Sequence, residues 1–518
     1  MSTSDSASPA RLSESFSRFT RCVNGRLLYS CALIAFSQVN FGMDQGAFSG
    51  TQAMDAFTRK FGEYNAATGA YAIPGWFLSL LNSLNYIGFA GGLVMGSFIN
   101  ARWGRRMTLF TMCIWALISA ILLVTAQHKE QILLGRIIAY IYIGNELAVV
   151  PVLQSELTPA PIRGFVVGTY QSGLLLGQLI QALICRGTSS IQDDRAWRIP
   201  FGLFFIIPTI IAGGVWFMPE SPRYLLIKDK PEEAMASLRA LREGRFTDEE
   251  IDQEFRELQD SISNQSERGR FVEIFQGTNL KRTLISVGIN VFLQLTGQNF
   301  VSVYGTIFLK SLGTVNPFTL TTVNTAISIV MVLVTQLLTD MTGRIPLLVA
   351  GAVVQTGALF TMGGLGTVSN PDFHIRTGIA TMVTIFGVGF QLGWAPLSHV
   401  VAAEIPTTRL RDITYAFGAV FNIAIQFAVS FSIPYLINAE YAGLGSKVGF
   451  IFGSTAFCAI IFSYFCIPEC GGKTLEEIDE LFLAGTPIRE FGKTKDRGTI
   501  EQNEKAVEAG VNHAEAIA

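Results

Sequence analysis

GSFINARWGRR at residues 96–106 closes one long apolar run of the chain, and TDMTGRI at residues 339–345 closes another. Both stretches end on a glycine followed by an arginine, where one helix would stop and the next would begin. A second echo pairs PESPR at residues 219–223 with PECGG at residues 468–472. The members of each pair lie about 240 to 250 residues apart, which indicates an internal repeat. The sequence therefore predicts two halves built on one plan.

The composition of the 518-residue chain excludes most soluble classes. Hydrophobic residues make up 49% of the chain and charged residues only 15%, whereas soluble domains carry about 25% charged residues. The mean hydropathy of +0.39 fits a lipid-facing protein, and a net charge of −2 argues against nucleic acid as a partner. The sequence contains no nucleophile–base constellation, phosphate loop or metal-ligand spacing, so an enzyme is disfavoured and no cofactor is expected.

Twelve runs with few or no charges are each long enough to cross about 30 Å of hydrocarbon as a helix. They cover residues 27–48, 75–100, 107–127, 131–155, 164–185, 199–218, 283–309, 316–339, 345–368, 377–403, 413–438 and 448–467. An all-α membrane protein follows, because the runs are too long for barrel strands and lack their alternation. An even number of crossings places both tails on one side. Most lysines and arginines fall on that side, which predicts that it is the cytosol.

The charged segment between the halves interrupts the apolar pattern. Its apolar residues recur at helical spacing, and Thr247 with Glu250 forms a capping-box sequence, so short amphipathic helices are expected beneath the membrane domain. The predicted organisation is a cytosolic tail (1–26), a six-helix half (27–218), a helical linker (219–282), a second six-helix half (283–467) and a cytosolic tail (468–518). In such a repeat the substrate site lies between the halves, near the membrane midplane.

Several short motifs occur in order along nearly the whole chain. They are FGMDQGAFSG (41–50), GSFINARWGRR (96–106), PVLQSELTPAPIRG (151–164), PESPRYL (219–225), QLTGQN (294–299), DMTGR (340–344) and AAEIPTTRLR (402–411). On these motifs the chain resembles the sugar porter family of the major facilitator superfamily, and its fungal hexose and oligosaccharide transporters in particular. The resemblance implies a twelve-helix carrier that moves a sugar-like substrate by alternating access, with proton coupling in many members.

Arginines and glutamates cluster just beyond the helix ends on the side of the tails. The set comprises Arg105, Arg106, Glu156, Arg163, Arg344, Glu404 and Arg409. Arginines there meet negative helix C-termini and have carboxylates within reach. We therefore expect ion pairs between the two halves that close the cytosolic face while the carrier opens outward. The alternative is that these arginines only anchor the helices at the cytosolic surface.

Neutral amides inside the runs are the expected sugar ligands, because an amide pairs with a hydroxyl without burying a charge. By the resemblance, the sugar-contacting positions are Gln171, Gln178, Gln294, Asn299 and Asn422. Without the resemblance, a lone amide inside a membrane more often joins two helices. Asn324 and Ser328 are weaker candidates, one turn apart in the eighth run.

Four positions depart from the family pattern and bear on the substrate. Leu293 stands in place of the first glutamine of a pair and Val303 in place of a tyrosine, while His399 and Ile423 stand where tryptophan is common. An aromatic wall and one amide are therefore changed, which puts a simple hexose in question. His399 is the one histidine within the runs, and a substrate-facing role is predicted for it.

Three ionisable residues lie at depth in the apolar runs, where such groups are functional by default because they are costly to bury. The family's proton-coupled members carry an acid in the first run and an arginine in the fourth, which match Asp44 and Arg136. A proton on Asp44 would separate this pair, although a permanent structural ion pair is the alternative. Glu146 has no counterpart in the family pattern. Either a contact to substrate or proton, or a tertiary hydrogen bond, would explain it.

The sequence thus predicts a multi-pass plasma-membrane symporter that carries a sugar or related polyol together with protons, driven by a proton gradient. Its partners would be the substrate, protons and the lipid bilayer. Transport would follow from rocking of residues 1–218 against residues 283–467. The alternatives are a sugar facilitator without coupling, a nutrient sensor on the same scaffold, and a carrier of another small polar metabolite such as an organic acid or a secondary product.

Overall fold

The computed structural model describes residues 22–65, 69–263, 269–407, 409–471, 473 and 475–492. Residues 1–21 and 493–518, which belong to the two predicted tails, lie outside the described residues. Twelve long helical segments follow one another and are called span 1 to span 12. They are Gly25–Thr51, Gly75–Trp103, Arg105–Val124, Lys129–Leu157, Ala160–Thr188, Arg195–Phe217, Gly277–Leu295 continued by Gln298–Ser302 and Gly305–Leu312, Pro317–Thr342, Arg344–Leu365, Phe373–Glu404, Arg411–Ile437 and Val448–Cys466.

Ten of these segments are long and apolar enough to cross a membrane, as judged over the described residues, and the other two are spans 1 and 5. Spans 1 and 5 are 27 and 29 residues long and pack against each other at glycines. A Cβ atom at Gly42 would overlap the Leu174 carbonyl oxygen, and one at Gly177 would overlap the Val39 carbonyl oxygen. Small residues at such a contact lower the hydropathy of both helices but bring their backbones together. The twelve-helix fold in two halves is confirmed.

Shorter elements lie at the two ends of the bundle. The far side is the end at which span 1 finishes, and the tail side is the end at which span 1 begins. Helix Asp55–Phe61 and the antiparallel strands Glu63–Asn65 and Ala70–Ala72 follow span 1 on the far side, and the short turn Gly445–Lys447 precedes span 12 there. The tail-side helices are Pro222–Ile227, Pro231–Arg242, Asp248–Ser263, Phe271–Phe275, Leu475–Leu483 and Ile488–Glu490.

Hydrogen bonds fasten the linker helices to the tail side of the first half. The Asn24 side chain, which caps span 1, donates to the Ala240 carbonyl at 3.0 Å. The capping box expected in the linker is formed: the Thr247 N–H donates to the Glu250 carboxylate at 2.8 Å, and the Glu250 N–H donates to the Thr247 hydroxyl at 3.3 Å. The start of span 1 and the linker therefore lie at the same end of the bundle.

The first copy of the repeated motif joins span 2 to span 3. Gly104 makes this turn with a φ of 93°, a region that favours glycine. The Glu220 carboxylate then accepts hydrogen bonds from the backbone N–H groups of Arg105 and Arg106 at 3.1 and 3.2 Å. Burial raises the pKa of the Glu220 carboxyl, and these N–H donors, with that of Ser221, oppose the rise. A glutamate from a distant segment thus caps the N-terminus of span 3.

The second copy builds the same structure between spans 8 and 9. Gly343 has a φ of 87°. The Glu469 carboxylate accepts hydrogen bonds from the backbone N–H groups of Arg344 and Ile345 at 3.0 and 2.9 Å. The repeat seen in the sequence is therefore a repeated helix-capping device, one in each half.

Two helices of the second half are interrupted near the middle of the bundle. Span 7 breaks at Gly297, whose φ is 94°. Span 10 contains a π-helical turn at Phe390–Trp394, which shifts the following turn relative to an α-helix. Interrupted helices expose backbone polar groups inside a membrane protein. A substrate-binding site is therefore expected beside these breaks.

Candidate substrate-binding and coupling site

A cavity of about 340 Å³ lies between the halves. Spans 1, 2, 4 and 5 line one wall, and spans 7, 8, 10 and 11 line the other. Its polar side chains include Gln45, Arg136, Gln171 and Gln178 from the first half, and Gln294, Gln298, Asn299, Asn324, Ser328, Gln391, His399 and Gln426 from the second. Phe41, Phe48, Tyr86, Phe89, Tyr140, Phe386 and Phe390 add an aromatic lining. Many amides beside aromatic rings suit a neutral ligand with several hydroxyl groups.

Five of the six predicted substrate-binding residues line this cavity. They are Gln171, Gln178, Gln294, Asn299 and His399. The sixth, Asn422, is not among the lining residues and lies behind Gln294, whose side-chain N–H donates to the Asn422 Oδ1 at 3.2 Å. The Asn422 amide in turn donates to the Asn290 Oδ1 at 3.2 Å. Asn422 was predicted to contact the substrate directly. In this conformation it instead orients Gln294, which lines the cavity.

Gln294 has unused hydrogen-bonding capacity toward the cavity. Its Oε1 atom is buried and has no hydrogen-bond partner among the described residues. The cavity residue Gln391 has the same feature at its own Oε1 atom. Buried acceptors without partners are costly, and a substrate hydroxyl would satisfy them.

Two other lining amides, Gln178 and Asn299, contact glutamine residues that also line the cavity. Gln178 donates to the Gln45 Oε1 at 2.7 Å, across the contact between spans 5 and 1. Asn299 and Gln426 contact each other at 3.4 and 3.5 Å, which is long for a hydrogen bond. A substrate hydroxyl could replace the long contacts between Asn299 and Gln426 at little cost.

His399 lies one turn beyond the π-helical turn of span 10 and is exposed to the cavity. Its Nδ1 atom lies 3.3 Å from the Tyr415 hydroxyl of span 11. The sequence predicts a substrate-facing role for His399 but not for Gln391, although Gln391 is also a polar residue in a long apolar run. Gln45, Gln298 and Gln426 were likewise not carried as site residues; Gln45 follows Asp44 directly, and Gln298 lies within QLTGQN.

The Asp44–Arg136 pair is formed within the first half. The Arg136 Nη1 donates to the Asp44 Oδ1 at 3.1 Å, and the exposed fractions of the two side chains are 3% and 1%. The guanidinium group also lies 3.7 Å from the ring centre of Phe48 and 4.9 Å from that of Tyr140. Arg136 borders the cavity, whereas Asp44 lies behind it and is not a lining residue. A change of charge on Asp44 would therefore reach the substrate through Arg136.

Glu146 lies in span 4, outside the cavity lining, with no exposed surface. Both of its carboxylate oxygens lack a hydrogen-bond partner among the described residues. Ser37 of span 1 lies beside this carboxyl group, so both interpretations of Glu146, a contact to substrate or proton and a tertiary hydrogen bond, stay predictions.

The arginines of the tail side pair within their own halves. Arg105 makes two hydrogen bonds to Glu156, at 2.8 and 2.7 Å, and Arg344 makes one to Glu404, at 2.9 Å. The predicted ion pairs across the halves concern the outward-open state and stay a prediction; in this conformation both arginines pair inside their own halves. The physical reason is that each acid ends the fourth span of its half, beside the start of the third span in the same repeat.

The remaining members of this set have other surroundings. Arg106 donates to the carbonyl groups of Val215 and Trp216 at the end of span 6. Arg409 forms an ion pair of 2.9 Å with Glu273 of the linker. Arg163 is exposed at the start of span 5. Arg106 and Arg409 therefore fasten helix ends to neighbouring segments in this conformation.

The side-chain hydrogen bonds that join the two halves, among the described residues, lie on the far side. The side-chain hydrogen bonds there join Ser49 to Thr306, Gln52 to Val303, Ser79 to Phe431, Ser430 to Asn82, and Lys310 to Ala53 and Asp55. The far side is thus closed, and no ion pair among the described residues joins the two halves on the tail side. This arrangement corresponds to a carrier that faces the tail side.

Two six-helix halves around a polar cavity, with interrupted helices beside it, define a membrane transporter of the major facilitator fold. Residues 30–482 match the model of the family described as Sugar (and other) transporter, and the chain belongs to this family. It is a transporter and not an enzyme.

Relatives and solved structures agree with this assignment. The chain is 31% identical over 492 residues to the major facilitator-type transporter ecdD of Aspergillus rugulosus, covering 91% of this chain and 90% of that protein. It is 29% identical over 471 residues to a low-affinity glucose transporter of Kluyveromyces lactis, covering 88% and 82%. The inward-open structure of the xylose transporter XylE from E. coli has the same fold, with a TM-score of 0.72, 22% identity and coverage of 88% and 99%.

Proposed function

We propose that the protein is a proton symporter for a sugar or a related polyol, located in the plasma membrane with the tail side facing the cytosol. The observation that carries this proposal is the position of the buried Asp44–Arg136 pair at the wall of an amide-lined cavity. A proton on Asp44 would remove the charge that holds Arg136. The guanidinium group would then be free to change its contacts at the cavity, which links proton binding to substrate binding.

The cavity chemistry supports a neutral, hydroxylated substrate. Its second wall supplies amides and hydroxyls, and none of the apolar runs in that half contains Asp, Glu, Lys or Arg. The single charged lining residue, Arg136, is balanced by Asp44. A sugar or polyol would satisfy the free acceptors of Gln294 and Gln391 without burying an unpaired charge.

A carrier of an organic acid is the second candidate, and one observation favours it. With a proton on Asp44, Arg136 would present an unbalanced positive charge to the cavity, which would attract a carboxylate. Leu293, in place of an amide, and His399 also line this cavity. Counterflow of labelled sugars, polyols and organic acids in proteoliposomes would separate the two candidates, and the absence of counterflow with every compound would favour a sensor.

The variant Asp44→Asn tests coupling. A membrane potential of about 150 mV supplies roughly 3.5 kcal/mol per charge, enough for an accumulation of about a few hundredfold. We expect Asp44→Asn to retain counterflow but to lose proton-driven accumulation, with Asp193→Asn, an exposed acid on the far side, as the control. Accumulation by Asp44→Asn would refute coupling through Asp44. A parent that never accumulates substrate would be a facilitator with a structural ion pair.

A further inference from the structure

A second group of polar side chains is buried in the first half, outside the cavity lining. It consists of Ser37 and Gln38 of span 1, Asn145 and Glu146 of span 4, and Tyr170 of span 5, and is called the polar cluster below. Ser37, Gln38, Asn145 and Glu146 are at most 1% exposed. These residues lie on spans 1, 4 and 5, and one of them has a carboxyl group that the proposed coupling through Asp44 does not use.

The polar atoms of this cluster lack partners. The Ser37 and Tyr170 hydroxyls, both side-chain atoms of each amide and both carboxylate oxygens of Glu146 are buried without a hydrogen bond of ordinary geometry to the described residues. The Gln38 amide lies against Gly173 of span 5, and the Asn145 amide lies against Gly96 of span 2. Buried polar groups without partners are rare in proteins, and a proton on Glu146 would give its carboxyl group a hydrogen-bond donor.

Glu146 forms no ion pair with a basic side chain among the described residues. The polar and titratable groups near it are Ser37 from span 1, Cys113 from span 3, Tyr142 from its own span and Tyr170 from span 5. Arg136 is the only Lys or Arg inside the twelve apolar runs, and it is bound to Asp44, ten residues or about 15 Å along span 4 from Glu146. A buried carboxylate without a counterion is strongly disfavoured, whereas a neutral carboxylic acid both donates and accepts hydrogen bonds.

Tyr142 connects Glu146 with the Asp44–Arg136 pair. It lies one helical turn before Glu146 and is 3% exposed. Asp44 of span 1 lies near the same tyrosine hydroxyl. Span 1 runs away from the tail side and span 4 runs toward it, so Glu146 lies nearer the tail side than Asp44 does. The three groups therefore form a line from the ion pair toward the tail side.

We propose that Glu146 is a second proton-binding site, through which the proton of the symport cycle leaves toward the tail side; this rests on the proposed symport. Glu146 is buried in this conformation, so its proton is first released to water in a conformation that opens the polar cluster toward that side. Its carboxylate then accepts the proton of the Tyr142 hydroxyl, while that oxygen accepts the proton of Asp44. Asp44 is left as a carboxylate and pairs again with Arg136. One proton enters at Asp44 and one leaves from Glu146, so protons balance over the cycle.

Infrared spectroscopy of the full chain in lipid tests this site apart from transport. At neutral pH we expect a carboxylic-acid carbonyl band that shifts in heavy water, disappears in Glu146→Gln, and persists in Asp44→Asn and in the surface control Asp193→Asn. If Glu146→Gln does not fold, Glu146→Asp replaces it. The parent should then show the band, and Glu146→Asp should retain it at a shifted position. Absence of the band from the parent, or its persistence in Glu146→Gln, would overturn the proposal.

Transport measurements test the exit path. We expect Glu146→Gln to slow proton-driven uptake at least about tenfold, because a relay group is lost, and to change counterflow less than about twofold. Unchanged driven uptake would overturn the exit role, while loss of driven uptake in Asp44→Asn alone would leave the symport proposal intact. If Asp44→Asn still accumulates substrate, the symport proposal through Asp44 fails, and the exit path that starts from Asp44 fails with it. The infrared band then decides separately whether Glu146 binds a proton.

Discussion

The two halves share one framework but differ in where they carry charge. Both use a glycine turn and a distant glutamate to cap the third helix of the half, and both pair an arginine there with a glutamate at the end of the fourth helix. All three charged residues of the apolar runs, Asp44, Arg136 and Glu146, are in the first half. The second half contributes neutral amides and the two interrupted helices.

This difference suggests that the two halves have different roles. The ends of the helices keep the repeated structure because both halves need the same boundary with water. The middle has diverged: the charged residues of the apolar runs lie in one half, and most of the amides that line the cavity lie in the other. Arg136 joins the two roles, since it is paired with Asp44 and borders the cavity. The predictions below probe this comparison.

The largest effect on stability is expected from Arg136→Met. It leaves Asp44 buried without its partner, which should lower the free energy of unfolding by about 3–5 kcal/mol. In the second half, Gln355→Met is the matched control, because Gln355 is fully buried and both of its amide atoms lack partners among the described residues. That change should be nearly neutral or stabilising.

Thermal unfolding in detergent measures this difference. The double variant Asp44→Asn with Arg136→Met should recover most of the lost stability, because no unpaired charge remains. Equal destabilisation by Arg136→Met and Gln355→Met would contradict the view that only the first half depends on a buried charge pair.

Substrate affinity should respond in both halves. Gln171→Ala and Asn299→Ala should each weaken binding by about 1–3 kcal/mol, because each removes a partner of a substrate hydroxyl. Asn422→Ala should have a smaller effect, since Asn422 acts through Gln294. Equilibrium binding of the substrate identified by counterflow gives the values, with the exposed Gln192→Ala as control. Unchanged affinity in both Gln171→Ala and Asn299→Ala would remove the proposed site.

The apolar runs and the repeated motifs were sufficient to predict the fold. The rarity of charges inside those runs also indicated Asp44 and Arg136 as candidate functional residues, because ionisable side chains are costly to bury in a membrane. The ion pairs within each half could not be predicted, since motif spacing does not say which neighbour a long arginine side chain reaches. Gln391 was missed for a different reason: the π-helical turn changes which residues of span 10 share a face. Asn422 was predicted to contact the substrate by family resemblance, but a sequence match does not reveal that Gln294 lies between Asn422 and the cavity.

The two repeated ion pairs should differ in strength. Arg105 binds both oxygens of Glu156, and the two side chains are 10% and 7% exposed; Arg344 binds one oxygen of Glu404, and the side chains are 18% and 21% exposed. We expect Arg105→Gln to lower the unfolding free energy by about 1 kcal/mol more than Arg344→Gln does. Thermal unfolding of both variants measures this, and equal losses would show that the repeat is energetically symmetric.

The smallest expected effect concerns the contact that joins the halves on the far side. Lys310 of span 7 contacts Asp55, after span 1, at 2.6 Å, with side chains 38% and 66% exposed. Exposed ion pairs contribute about 0.2–1 kcal/mol, so Lys310→Met should shift the balance between the two facing states by about 1.4- to 5-fold toward the state open on the far side. Accessibility of a cysteine introduced at Gln52, which also contacts the second half there, would report this shift. Lys129→Met, which breaks the ion pair with Glu63 inside the first half, is the control and should leave accessibility unchanged. Equal labelling in the parent and Lys310→Met would mean that the buried contacts of Ser79 and Ser430, and not the charge pair, hold the far side closed.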